Sequence, residues 1–166
     1  MVQDNNHTED PDNDVMAYCS LAVNVGSYND PPERPGLAHF LEHMIFMGSE
    51  KYPQEDSYSN HVSEYGGYCN AYTELEWTNY QFQIAYSGLE KALDMQASNF
   101  ENPLFKQDAI RREIEAIENE FKCCFPDDTC RLLQILIDQA LKNHVFHGFM
   151  WGNIESLLGK KENLEN

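Results

Sequence analysis

Three side chains able to do chemistry, His39, Glu42 and His43, lie within five residues of one another. The stretch around them, Pro35-Gly36-Leu37-Ala38-His39-Phe40-Leu41-Glu42-His43-Met44-Ile45-Phe46-Met47-Gly48, is otherwise almost wholly apolar. It reads as one short helix. Pro35 suits a first helical position, where its missing N–H costs nothing, and Gly48 suits a left-handed stop. At helical spacing His43 projects about 40° from His39, and Glu42 about 60° to the other side, so all three share one face. The remaining faces are apolar and should be buried. Buried imidazoles and a buried carboxylate are costly unless paired. A divalent metal is the simplest common partner for two histidines at i, i+4.

A catalytic zinc site needs a third protein ligand and an open position. The helix expected over 106–122 narrows the choice. Ile110, Ile114, Ile117 and Phe121 fall within a stripe about 60° wide. Glu113 and Glu120, seven residues apart, project within about 20° of each other at the border of that stripe. Glu115 and Glu118 point to the solvent side. Two carboxylates at a core edge repel unless a cation separates them or one is protonated; pairing with Arg or Lys is the plainer alternative. A structural zinc site built from Cys123, Cys124 and Cys130 with His144 and His147 is disfavoured, because the spacing lacks a C-x-x-C knuckle.

The elements that must position these residues follow in chain order. Residues 1–14 are acidic, polar and without period, and read as a disordered tail. Residues 16–25 read as a strand with Ala17, Cys19, Leu21, Val23 and Val25 on one face; Met16, Tyr18 and Ala22 soften the other, so both faces are expected to be covered. Residues 54–64 form a polar helix closed by Gly66-Gly67. Strands at 68–73 and 78–85 make an antiparallel hairpin, the second with Tyr80, Phe82 and Ile84 on one side. A helix at 89–100 ends at Asn102-Pro103. After the helix at 106–122, Pro126 starts another, capped by Asp127, Asp128 or Thr129 and carried by Leu132, Leu133, Leu136, Ile137, Ala140 and Leu141. The end, from His144, reads as loop with one apolar patch, Phe149-Met150-Trp151. The class is α+β, helices packed on an antiparallel or mixed sheet, with residues 15–166 as one unit.

Composition sets the outer bounds. The 166 residues carry 28 acids against 11 bases, a formal net charge of −17. That argues against nucleic-acid and anionic-membrane binding, and weakly for basic ligands. No apolar run reaches membrane-spanning length and no apolar signal segment follows Met1, so a cytoplasmic location is expected. The five cysteines, Cys19, Cys69, Cys123, Cys124 and Cys130, form an odd set and read as reduced thiols. His7 and His61 read as surface residues. Tyr68, Tyr72 and Trp77 suit either a core or a substrate groove.

The string from Gly36 to Met44, followed by Phe46-Met47-Gly48-Ser49, resembles the inverzincin metallopeptidases of the pitrilysin, insulin-degrading enzyme and nardilysin type. Arg112-Glu113-Ile114-Glu115-Ala116-Ile117-Glu118-Asn119-Glu120 is similar to that family's third-ligand helix. Phe149-Met150-Trp151-Gly152-Asn153 is similar to nardilysin-like members. The resemblance implies the N-terminal catalytic-domain fold of that family and one Zn²⁺ per chain. It makes His39, His43 and Glu120 the ligands, Glu42 the general base and Glu113 a supporting acid. Gly66-Gly67-Tyr68-Cys69-Asn70-Ala71-Tyr72-Thr73 resembles the family's edge strand, in which Asn70 and Ala71 would meet an extended peptide substrate. The family is built as two halves, and this sequence matches part of one. Association with a complementary C-terminal half or a full-length relative is therefore an expectation, and the rival expectation is a truncated, non-catalytic zinc- or peptide-binding module.

Overall fold

The computed structural model describes residues 15–159. The acidic segment 1–14, His7 included, and residues 160–166 lie outside the described part. The order of elements is β1 (Met16–Val23), α1 (Leu37–Ile45), α2 (Ser57–Glu64), β2 (Tyr68–Thr73), β3 (Thr78–Ala85), α3 (Tyr86–Glu101), α4 (Gln107–Cys124), α5 (Asp128–Gln139) and α6 (Ile154–Leu158). The three strands form one sheet in the order β1-β3-β2. The α+β class expected from the order of patterns is the one observed. The described residues group into two compact units, one of residues 15–22, 45–71 and 79–104, the other of 23–44, 72–78 and 105–159.

The first unit holds most of the sheet. β3 is central, and its alternation puts Tyr80, Phe82 and Ile84 in the interior. Phe82 and Ile84 pack with Tyr58 and Val62 of α2 and Ala92 and Met95 of α3 into one core. Each such aliphatic or aromatic side chain, taken fully out of water, contributes about 1.5–3 kcal/mol. Gly67 enters β2 where any side chain would strike the backbone: a Cβ there would lie 1.9 Å from the Gln83 carbonyl oxygen. In β1, Ala17, Cys19 and Val23 are partly covered, but Tyr18, Ser20, Leu21 and Ala22 stay exposed. The expectation that both faces of this strand are covered therefore fails. His61, expected at the surface, is buried, with Nε2 against the Gly88 carbonyl oxygen at 3.0 Å. An imidazole with one satisfied nitrogen sits readily in a core. Tyr68, Tyr72 and Trp77 are all exposed, so the core alternative for them does not hold.

The second unit holds the candidate site. Its core is Ile114 and Ile117 of α4 with Leu157 of α6, flanked by Phe40, Ile110, Ile154 and Leu158. The isoleucine stripe read from spacing is the buried stripe of α4. Helix α6 was not anticipated; five residues are too few for a period to show. Its cap is local: the Asn153 side chain accepts from Ser156 N at 2.8 Å. Its first N–H, on Ile154, donates to Glu118 Oε2 at 3.0 Å. Glu118 is thus a capping acid and not the solvent-facing residue that its helical angle implied. α5 begins after Pro126, as expected, and of the three possible caps it is Asp127 that serves, accepting from Cys130 N. Of its apolar set only Ile137 is buried; Leu132, Leu133, Leu136 and Leu141 are exposed.

Cysteine pairing also departs from expectation. Cys124 and Cys130 form a disulfide, whereas Cys19, Cys69 and Cys123 are free. Pro126 stops α4, and the tight turn to the Asp127 cap brings the end of one helix to the start of the next. A separation of six residues thereby becomes a Cα–Cα distance of 6.2 Å, within bonding reach.

Candidate metal centre

The site rests on where α1 begins. Pro35 does not open the helix; Leu37 does. Gly36 sits just outside with φ +88° and its carbonyl accepts the first helical bond, from Phe40 N at 2.9 Å. Asp30, six residues upstream, caps the end. Its two carboxylate oxygens accept from Gly36 N at 2.7 Å and Ala38 N at 2.8 Å. Burial pushes the Asp30 carboxyl up, outweighing the opposing pull of the backbone N–H groups of Ala38, Gly36 and Leu37 and of His39. Gly36 is obligatory for a second reason: its Cβ would lie 2.2 Å from the Cα of Gly152. That approach sets the 151–153 segment directly beside the start of α1.

One helical turn then separates His39 from His43, whose ring centroids are 4.9 Å apart. Each ring is gripped at Nδ1. His39 Nδ1 donates to the Trp151 carbonyl oxygen at 2.6 Å. His43 Nδ1 donates to Glu113 Oε2 at 3.0 Å. A carbonyl and a carboxylate can only accept, so both Nδ1 atoms carry protons. In a neutral ring Nε2 is then a bare lone pair. His39 Nε2 lies 3.6 Å from Glu120 Oε2, and His43 Nε2 lies 3.6 Å from Glu120 Oε1. Both gaps exceed hydrogen-bond length. Lone pairs of two imidazoles and one carboxylate therefore converge, an arrangement that repels itself unless a cation or added protons enter it. The protein alone responds at His43. Burial works against its charge, but the bond to Glu113 and the charges of Glu120, Glu113 and Glu42 together raise its pKa above the ordinary histidine value. One ligand atom from each of His39, His43 and Glu120 falls within 4.8 Å of the others, and this is the only such group among the described residues. Two imidazole nitrogens and a carboxylate oxygen form a donor set that suits Zn²⁺.

Glu42 projects from the same helix but makes no part of that group. It is 8% exposed, and its Oε2 accepts from the Thr73 hydroxyl at 2.6 Å. Thr73 is the last residue of β2, and Thr78 Oγ1 lies 3.3 Å from its hydroxyl while donating to the Val25 carbonyl at 2.8 Å. A carboxylate held at one oxygen, close to a cation site, is suited to carrying a proton on the other.

All five expected residues of α1 and α4 are thus gathered in the second unit. Asn70, exposed, and Ala71, partly covered, lie in β2, an edge strand among the described residues. The cysteine–histidine alternative is not assembled: Cys124 and Cys130 are bonded to each other, and His147 Nδ1 is against the Ile137 carbonyl at 3.2 Å. Sequence reasoning missed the Trp151 carbonyl, which as a main-chain group leaves no trace in residue type. It also missed Asp30 and Thr73. For Asp30 a signal existed, an acidic residue ahead of Pro-Pro and a buried helix start. For Thr73 the only hint was its place at the end of the hairpin strand.

Comparison with known proteins gives a consistent set. The family model described as insulinase (Peptidase family M16) matches residues 7–146. A nardilysin-like protein of Arabidopsis thaliana is 45% identical over 147 residues, covering 89% of this chain and 14% of that protein. The A-factor-processing enzyme of Saccharomyces cerevisiae is 45% identical over 151 residues, covering 90% of this chain and 14% of the relative. The crystal structure of pitrilysin superposes with a TM-score of 0.81 at 34% identity, over 89% of this chain and 16% of that one. The chain spans about one seventh of the length of these curated relatives.

Proposed function

Because this chain belongs to the insulinase family, Peptidase family M16, we propose that it carries the catalytic metal site of a zinc-dependent metalloendopeptidase. In this reading His39, His43 and Glu120 hold one Zn²⁺, Glu42 is the general base, and Glu113 is a positioning residue. The observation that carries it is the convergence of two bare Nε2 atoms on the two oxygens of one glutamate, with both Nδ1 atoms already committed. When bound, zinc supplies an acidified water and polarises a peptide carbonyl. The rest is done by the chain. Thr73 holds Glu42 Oε2, which leaves Oε1 to take the proton of the attacking water and deliver it to the leaving amine nitrogen. Glu113 keeps His43 in the Nδ1–H tautomer, and the Trp151 carbonyl does the same for His39, so both rings present Nε2.

An extended peptide would add to the free edge of β2 by main-chain hydrogen bonds at Asn70 and Ala71, which read backbone and not sequence. The net charge of −17 favours basic peptides. Residues 15–166 form part of a catalytic domain in this reading, and a complementary C-terminal half or a full-length relative is its expected partner. The cytoplasm is the expected setting. Among the described residues no helix is long and apolar enough to cross a membrane.

The test is metal analysis joined to peptide cleavage, alone and with a full-length relative. Wild type should bind one zinc, His39→Ala and Glu120→Ala none. Glu42→Gln should keep its zinc and lose cleavage. Stoichiometric zinc in either ligand variant, or normal turnover in Glu42→Gln, would refute the assignment.

A further inference from the structure

The α4–α5 corner carries a chemistry that the peptidase reading does not use. The Cys124–Cys130 disulfide joins the last residue of α4 to the first turn of α5, and the free, exposed thiol of Cys123 stands next to it. Both bonded residues are partly exposed, within an otherwise exposed stretch from Lys122 to Leu133. The bond therefore joins two partly exposed residues in a surface stretch of the chain. Besides the bond, the corner is held by short-range contacts: Asp127 N donates to the Cys124 carbonyl at 2.9 Å, and Asp127 Oδ1 accepts from Cys130 N at 3.0 Å. α5 buries only Ile137, while Leu132, Leu133, Ile135 and Leu136 face outward.

The bond also sits close to the metal ligands. Glu120 is one helical turn before Cys124, on the same side of α4. Between them, Phe121 packs edge-on against Phe149, ring centroids 5.3 Å apart. Phe149 lies two residues before Trp151, whose carbonyl holds His39. The terminal turn of α4 thus carries one ligand directly and abuts the segment that orients another. Glu120 is itself 46% exposed, so the order of that turn is what keeps it in place.

We propose that Cys124 and Cys130 form a reversible thiol–disulfide site, exchanging with a low-molecular-weight thiol such as glutathione, and that its state sets the order of the α4 end that carries Glu120. The exchange balances as two thiol substitutions. A small thiolate attacks one protein sulfur, the Cys124–Cys130 bond breaks and the other sulfur leaves as thiolate. A second small thiolate displaces the protein sulfur from the mixed disulfide. The protein gains two electrons and two protons, and the oxidised small disulfide is released. In a reducing compartment a disulfide of this kind is characteristically a redox sensor and not a permanent staple. Cys123 offers a third sulfur for exchange at the same corner. The site's coupling to zinc rests on the reading of Glu120 as a ligand, but the exchange and the ordering of α4 do not.

The experiment uses the full chain, equilibrated in glutathione buffers of graded ratio. Alkylation and mass spectrometry should find a Cys124–Cys130 bond under oxidising ratios, three free thiols, and five after reduction. Amide exchange over 120–137 should become at least threefold faster on reduction. Zinc affinity, read by competition with a chromophoric chelator and with a phosphine as reductant, should fall at least threefold. Cys130→Ser should behave as the reduced form at every ratio. Five thiols at all ratios, a different pairing, or unchanged exchange over 120–137 would overturn the proposal. A chain that shows the exchange change but binds no zinc in either state would refute the metal reading and leave the redox site standing.

Discussion

Replacing Glu113 by alanine separates the role of a supporting acid from that of a ligand. In the wild-type protein Glu113 Oε2 accepts from His43 Nδ1 at 3.0 Å, and its side chain is only 13% exposed. Removal leaves the imidazole N–H of a largely buried ring without a partner, which costs about 1–3 kcal/mol. It also frees the ring to turn and to change tautomer, so that Nε2 is no longer held toward Glu120. Outer-shell partners of ligating histidines typically contribute 10- to 100-fold in metal affinity, about 1.4–2.7 kcal/mol. Zinc binding to Glu113→Ala should therefore weaken by roughly that factor without being lost. Glu113→Gln can still accept through its amide oxygen, and should lose less, on the order of three- to tenfold. The assay is a competitive zinc titration with the fold checked by circular dichroism. Two results would refute the reasoning. Unchanged affinity in Glu113→Ala would mean that His43 needs no partner at Nδ1. Complete loss, equal to that of Glu120→Ala, would make Glu113 a ligand.

Other expectations follow from single contacts. Asp30→Ala removes the acceptor for Gly36 N and Ala38 N, a cap worth about 0.5–2 kcal/mol. The thermal unfolding midpoint should fall by roughly 1–8 °C, and an unchanged midpoint would mean that water replaces the carboxylate. Thr73→Val removes the donor to Glu42 Oε2; zinc should stay bound, while kcat falls about 10- to 100-fold at similar KM, and Thr73→Ser should restore it. A rise in KM alone would place Thr73 in substrate binding instead.

Legibility of the sequence depended on the range over which each signal acts. The alternation in β3, the isoleucine stripe of α4 and the i, i+4 histidines are periodic, and a period survives whatever packs against it. The cap of α5 was legible to within three residues, Asp127, Asp128 or Thr129, because a cap acts only a few residues along the chain, here from Asp127 on Cys130 N. Errors lie where a residue's partner comes from elsewhere. Glu118 points away from the isoleucine stripe and would be solvated on an isolated helix. Because α6 begins against α4, its first N–H claims that carboxylate. His61 looks like a surface residue on a polar helix until the Gly88 carbonyl is supplied by α3. Pro35 fits a first helical position by rule, but the glycine that follows must approach Gly152, and that delays the helix by two residues.

The histidine pair itself shows why a local motif understates a site. His39 and His43 are four residues apart, yet their Nδ1 partners are 112 and 70 residues away in sequence. Spacing alone puts two rings on one face and says nothing of which nitrogen each presents. Tautomer is decided by a main-chain carbonyl next to Gly152 and by an acid on α4, and only then do two Nε2 atoms converge on Glu120. Because both rings would otherwise be free to rotate at χ2, the metal affinity proposed for the motif would be a property of α4 and of the 149–153 segment as much as of α1. In the zinc reading, a perturbation that leaves His39, His43 and Glu120 untouched but loosens either support should therefore weaken zinc binding, as read by competition with a chelator.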